Sequence, residues 1–116
     1  MRKLNESLVI LKKSKFIGLL YEVSNIEEIN SLLDDIKKEH KKARHICYAY
    51  KIGPLEKRTD DKEPGGSAGD PILEIIHRNN LDNTIIIVVR YFGGTLLGKG
   101  PLTRCYSKAA ADLINH

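Results

Sequence analysis

The sequence predicts an α+β class of fold: a single domain with elements in the order β-β-α-β-α-β-α and a four-stranded sheet carrying its helices on one face. Three observations predict it. Ile17, Leu19, Tyr21 and Val23 alternate with Gly18, Leu20 and Glu22, as a strand with one buried face requires. Ile26, Ile29, Leu32, Leu33 and Ile36 recur at helical spacing. Residues 84–89, TIIIVV, form an unbroken β-branched run, which reads as a strand buried on both faces.

Taken in order, Leu8-Val9-Ile10-Leu11 and the run FIGLLYEV read as two adjacent strands, a hairpin that opens the fold. Ser24 and Glu27 have capping-box spacing ahead of the first helix. That helix ends in KKEHKKARH, whose cations oppose the negative end of the helix dipole and are also a candidate nucleic-acid patch. HICYAYKI is the next strand, with Ile46, Tyr48, Tyr50 and Ile52 on one face and Cys47 and Ala49 on the other. Residues 53–69 lack apolar periodicity and read as one long loop. Asp70 suits the N-cap of a second helix with Pro71 at its first position, Ile72, Leu73, Ile75 and Ile76 as its apolar face and Asn79-Asn80 as its stop. After the strand at 84–89, Leu102, Tyr106, Ala109 and Leu113 form the stripe of a last helix, with Pro101 in its first turn.

Composition narrows the function. At 116 residues, 41% apolar and 29% charged, the chain fits one soluble globular domain. Its longest apolar run is far short of a membrane span, and the charged amino end is not a signal peptide. Cys47 and Cys105 lack metal-ligand spacing and read as reduced, packed thiols of a cytoplasmic protein. His45, with no second histidine at ligand spacing, reads as a structural hydrogen-bonding group. The net charge of +4 is compatible with a polyanionic partner.

The candidate chemistry lies in two glycine-rich segments. Arg90 ends the buried strand, Gly93, Gly94, Gly98 and Gly100 follow, and Lys99 and Arg104 flank a helix N-terminus, an arrangement that favours an anion. Gly93-x-x-x-x-Gly98-Lys99 approaches the nucleotide-binding P-loop, but Gly100 stands where the magnesium-binding hydroxyl belongs, so nucleotide hydrolysis is not expected. Ser67 and Gly69 open the second helix in the same manner, and the two N-termini are expected to face each other across one concave, anion-accepting surface. Asp60, Asp61 and Glu63 on its edge are a solvated charge run or a site for a hard cation, without octahedral or EF-hand spacing.

SKFIG at residues 14–18, ARHICYAY at 43–50, DDKEPGGSAGDPIL at 60–73 and VVRYFGGTLLGKGPLTRCYS at 88–107 together resemble the amino-terminal domain of the IMPACT family, in family order over nearly the entire chain. The resemblance implies one domain over residues 1–116, of the ribosomal-protein type also found in domain IV of elongation factor G. Bacterial members commonly add a ferredoxin-like domain and eukaryotic members an RWD domain, neither of which is expected within this length. Two departures stand out: Asp60-Asp61-Lys62-Glu63-Pro64 where the family usually has Asp-Asp-Gly-Glu-Pro, and Gly100-Pro101-Leu102-Thr103-Arg104 where it usually has Gly-Gly-Leu-Val-Arg. Lys62 is expected to make a more exposed turn.

Eukaryotic relatives act in translational control. The expected function is therefore a non-catalytic binding module that contacts RNA, the ribosome or a translation-regulatory protein through Arg90, Lys99, Arg104 and the glycine loops, with no cofactor or bound metal. The alternative is a small metal-dependent hydrolase or phosphoryl-handling enzyme using Asp60, Asp61 and Glu63. The sequence offers no nucleophile, base and acid at a defensible spacing, which favours binding.

Overall fold

Two lysines, Lys12 and Lys13, turn the chain between its first strands, and both adopt positive φ, at 48° and 67°. That is the backbone of a two-residue hairpin turn matched to right-handed strand twist, here built without glycine. A computed structural model describes residues 1–114, with β1 (Arg2–Leu11), β2 (Ser14–Glu22), α1 (Ile26–Glu39), β3 (His45–Ile52), β4 (Leu55–Thr59), α2 (Gly69–Arg78), β5 (Thr84–Tyr91) and α3 (Lys99–Ala111).

The sheet has five strands in the order β1-β2-β5-β3-β4, every neighbouring pair antiparallel. The expected four-stranded sheet is thus corrected by β4, which lies inside the stretch read as loop. Its sequence LEKRT is polar and mostly exposed because β4 is an edge strand, so no apolar period announces it. Gly53 and Pro54 join it to β3, with Ile52 opposite Leu55.

The helices also fall on both faces rather than one. Ile86 and Val88 of β5 pack with Phe16, Ile72, Ile76, Leu102 and Tyr106 under α2 and α3. Ile85, Ile87 and Val89 pack with Leu19, Ile29, Leu33 and Ile36 under α1. A central strand apolar at every position from 85 to 89 needs cover on each side, and burying each such side chain contributes roughly 1.5–3 kcal/mol.

Two helix caps differ from expectation. Asn25, not Ser24, is the N-cap of α1: its side chain accepts from the Glu28 amide at 2.9 Å, while the Glu28 carboxylate accepts from the Ser24 amide at 2.8 Å. The cap is displaced by one residue, and its return bond goes to the residue before the N-cap. In α2 the N-cap is Ala68, whose side chain cannot cap, and Asp70 and Pro71 lie within the first turn. The cap comes from elsewhere in the chain. Asp60 accepts from the amides of Gly66, Ala68 and Gly69 at 2.9, 3.1 and 2.8 Å.

Antiparallel pairing collects the chemistry at one end of the sheet. His45 lies opposite Arg90, and Thr59 opposite Tyr48. The Lys12–Lys13 turn, the start of β3, the ends of β4 and β5, the carboxyl end of α1 and the N-termini of α2 and α3 therefore share that end.

Candidate functional site

Arg90 is 5% exposed and faces the α2/α3 side of the sheet, opposite Phe16. Its Nη1 donates to both carboxylate oxygens of Glu63, at 2.9 and 2.8 Å. The Tyr106 hydroxyl also donates to Glu63, and the single Cys47 thiol proton is shared between the Asp60 carbonyl, 3.2 Å from Sγ, and the Tyr106 oxygen at 3.4 Å. His45 Nε2 lies 3.4 Å from Glu63, and its Nδ1 is 2.6 Å from the Asp61 carbonyl oxygen. Arg90 Nε has no partner among the described residues, but its guanidinium lies 5.4 Å from the Phe16 ring centroid, within cation–π reach.

These groups form one buried polar network tying the 60–68 loop to β3, β5 and α3. Burial raises the Tyr106 phenol above its ordinary range and pushes the Cys47 thiol up to about 12, so both keep their protons near neutrality. Burial also acts to raise the Asp60 carboxyl, but the amides of Gly66, Gly69 and Ala68 outweigh it and hold the group below the usual carboxylate range.

The three loop acids do not converge. Asp60 closes the α2 N-terminus, Asp61 accepts from the Ile46 amide at 2.7 Å, and Glu63 turns inward to Arg90. Among the described residues no group of three His, Cys, Asp or Glu side chains is placed to hold a metal ion. The anion-accepting N-terminus of α2 is filled by the chain's own carboxylate, with the Gly69 amide on Asp60 and the Ser67 hydroxyl donating to the Pro64 carbonyl at 2.6 Å. Arg90 likewise has an internal carboxylate.

The Asp60–Glu63 segment forms a tight turn, with Asp61 and Lys62 exposed. Glu63 N–H donates to the Asp60 carbonyl at 2.8 Å, and Asp61 and Lys62 take φ of 43° and 69°. Lys62 thus holds a left-handed backbone that a glycine would adopt without penalty.

Around α3, Gly98 is the N-cap, Lys99 and Gly100 are exposed in the first turn, and Arg104 is exposed one turn on. Gly94 is exposed at φ +95°. Gly93 is held tightly: a Cβ there would sit 2.2 Å from the Lys13 carbonyl carbon and 2.3 Å from the Ser14 nitrogen. Its N–H donates to the Ser14 hydroxyl at 3.2 Å, which locks the glycine loop onto the β1–β2 turn.

On the α1 side the same end is basic and open. Lys13, Lys15, Lys38, Lys41, Lys42 and Arg44 are exposed, and none of them lies within ion-pair distance of a described carboxylate. Arg44 lies over the Phe92 ring at 4.4 Å, and the Tyr91 hydroxyl meets His40 Nδ1 at 2.6 Å. Lys41 and Tyr91 link neighbouring hollows, one lined by Lys37, Arg44 and His45, another by Lys38 and Lys42, a third by Lys13, Lys15 and Phe92. The sequence singled out the α1 cations, but the turn lysines and the two β5-end aromatics join them only through strand pairing.

Residues 12–114 match the Impact N-terminal domain. The chain belongs to the IMPACT family. It is 41% identical over 118 residues to the IMPACT family member YvyE of Bacillus subtilis (strain 168), covering 99% of this chain and 54% of that protein. The chain spans about half the length of the bacterial relatives it matches. The crystal structure of a hypothetical protein superposes with a TM-score of 0.89 at 30% identity, over 97% of this chain and 60% of that one. The structure of the two-domain translational regulator Yih1 matches with a TM-score of 0.56 at 23% identity, over 92% of this chain and 43% of that one, a likeness of fold. No helix among the described residues is long and apolar enough to cross a membrane.

Proposed function

We propose that this domain is a translation-linked RNA-binding module that contacts the phosphate backbone with the basic end of its sheet. The observation that carries the reading is the set of exposed cations without described carboxylate partners, Lys13, Lys15, Lys38, Lys41, Lys42 and Arg44, brought together from the β1–β2 turn, the start of β2, the end of α1 and the segment that leads into β3. Phosphates are the partners such cations lack. Tyr91 and Phe92 at the same end offer ring surface to an unpaired base. Lys99 is exposed beyond the glycine loop, in the first turn of α3, whereas Arg90, Ser67 and Gly69 lie within the fold. The translational part of the proposal comes from the family: eukaryotic members act in translational control, and Yih1, which shares the fold, is named a translational regulator.

Fluorescence anisotropy with a labelled structured RNA and a labelled single strand, repeated over a salt series, tests it. Affinity should fall steeply with salt, and Lys41→Glu/Lys42→Glu/Arg44→Glu should lose at least tenfold without a change in melting temperature. Equal affinities of variant and wild type, or no binding at low salt, would reject it.

A further inference from the structure

On the opposite face of the same end, a cleft of about 470 Å³ lies between β1 and α3. Its floor is apolar: Val9, Leu11, Leu97, Pro101 and Cys105. Ile10 also lines it, although Ile10 points to the other face of the sheet from Val9 and Leu11. The cleft reaches β1 along residues 9–11, the last part of the terminal strand. Over residues 8–11 the outer edge of β1 pairs with no strand among the described residues, because β1 is the terminal strand; nearer its start, the Asn5 and Ser7 side chains donate to the Leu113 and Ala109 carbonyls.

Two further features describe an occupant. Leu8 and Ile10, on the far side of β1, are 56% and 57% exposed, an unusual load of apolar surface for an open edge. The rim is cationic: Lys12 and Arg104 border the cleft without a described carboxylate partner, and Lys108 joins them while paired to Asp112 at 3.1 Å. An RNA backbone would match the rim but leave the apolar floor and strand edge unmet. A peptide meets all three.

We propose that this cleft docks an extended segment of a protein partner, added beside β1 as a further strand, in which apolar residues are interspersed with aspartate or glutamate. Its backbone completes the open edge of β1. Its apolar side chains fill the floor at Leu97 and cover Leu8 and Ile10, and its carboxylates meet Lys12 and Arg104. The partner's charge is what separates it from a second copy of this chain, whose own β1 carries Arg2 and Lys3 beside a single glutamate, Glu6, with Lys12 in the turn that follows.

A phage library of random 12-residue peptides, selected on the wild-type protein and counter-selected on Leu97→Asp/Arg104→Glu, tests the proposal. Circular dichroism must first show that the variant is folded; Arg104→Ala alone serves if it is not. Enriched peptides should be acidic and apolar, should shift amide resonances of residues 7–12 and 97–108, and should bind the variant at least tenfold more weakly. No enrichment over the variant, basic peptides, or shifts confined to the α1 side would overturn it. So would a concentration-dependent dimer that Leu97→Asp dissolves, since the cleft would then hold a second copy. Loss of RNA affinity in Arg104→Ala would overturn it too, by assigning the rim to nucleic acid.

Discussion

Arg90 Nη1 holds both carboxylate oxygens of Glu63, at 2.9 and 2.8 Å, across 27 residues of chain. The pair is almost fully removed from water, so each charge depends on the other. Glu63→Ala should destabilise the domain by about 3–5 kcal/mol in urea denaturation, because it leaves a buried guanidinium uncompensated. Glu63→Ala/Arg90→Met should recover part of that loss. A double variant no more stable than the single would show that packing, not charge, sets the cost.

The Asp60 carboxyl titrates below its ordinary range in the folded protein. A depressed folded value contributes stability above the unfolded value of roughly 3.9 and loses it as pH falls through the folded value. Asp60→Asn keeps an acceptor for the α2 amides but cannot titrate. Urea midpoints between about pH 5 and pH 3 should therefore fall more steeply for wild type than for Asp60→Asn. Parallel curves would mean that other carboxylates govern acid unfolding.

Lys62 stands at φ 69° between Asp61 and Glu63. Lys62→Gly removes the steric cost of that backbone while adding chain entropy to the unfolded state. The two effects should leave a net gain of about 0.5–1 kcal/mol, read as a higher urea midpoint. A lower midpoint would show that the lysine side chain contributes more than its backbone costs.

The adjacent glycines Gly93 and Gly94 should respond differently to the same substitution. A Cβ on Gly93 meets backbone atoms of Lys13 and Ser14, whereas one on Gly94 enters open space at a left-handed φ. Gly93→Ala should cost about 3 kcal/mol and Gly94→Ala about 1 kcal/mol in thermal melts. Equal losses would mean that the β1–β2 turn moves aside without cost.

Much of this was legible from periodicity and local chemistry. The α1 stripe, the two faces of β3 and the α3 stripe through Leu102, Tyr106, Ala109 and Leu113 all occupy the core. The apolar run of β5 signalled burial on both faces, and that signal already required helices on both sides. β4 was illegible because a polar edge strand has no apolar alternation to display. Asp60 as the cap of α2 was illegible because its loop folds back over eight residues, while capping patterns look only a few residues away.

The candidate site was harder to read for a related reason. A sequence shows that Arg90 is basic and follows a buried strand, but not that Glu63 arrives from a distant loop to neutralise it. Ser67 and Gly69 mark a helix N-terminus without revealing that it is already filled. The open cations sit instead where the antiparallel register brings the Lys12–Lys13 turn beside the end of β5, a relation fixed only by tertiary pairing.

The placement of β5 has a consequence for synthesis. β1–β2 and β3–β4 are local hairpins that form from nearby residues, but among the described residues they are paired into one sheet only through β5, which follows both of them in the chain. Until residues 84–91 emerge, the inner edges of β2 and β3 stay bare and the two halves of the sheet remain unlinked. The growing chain is thus most adhesive just before β5 emerges, and insertion of that one strand protects both halves at once.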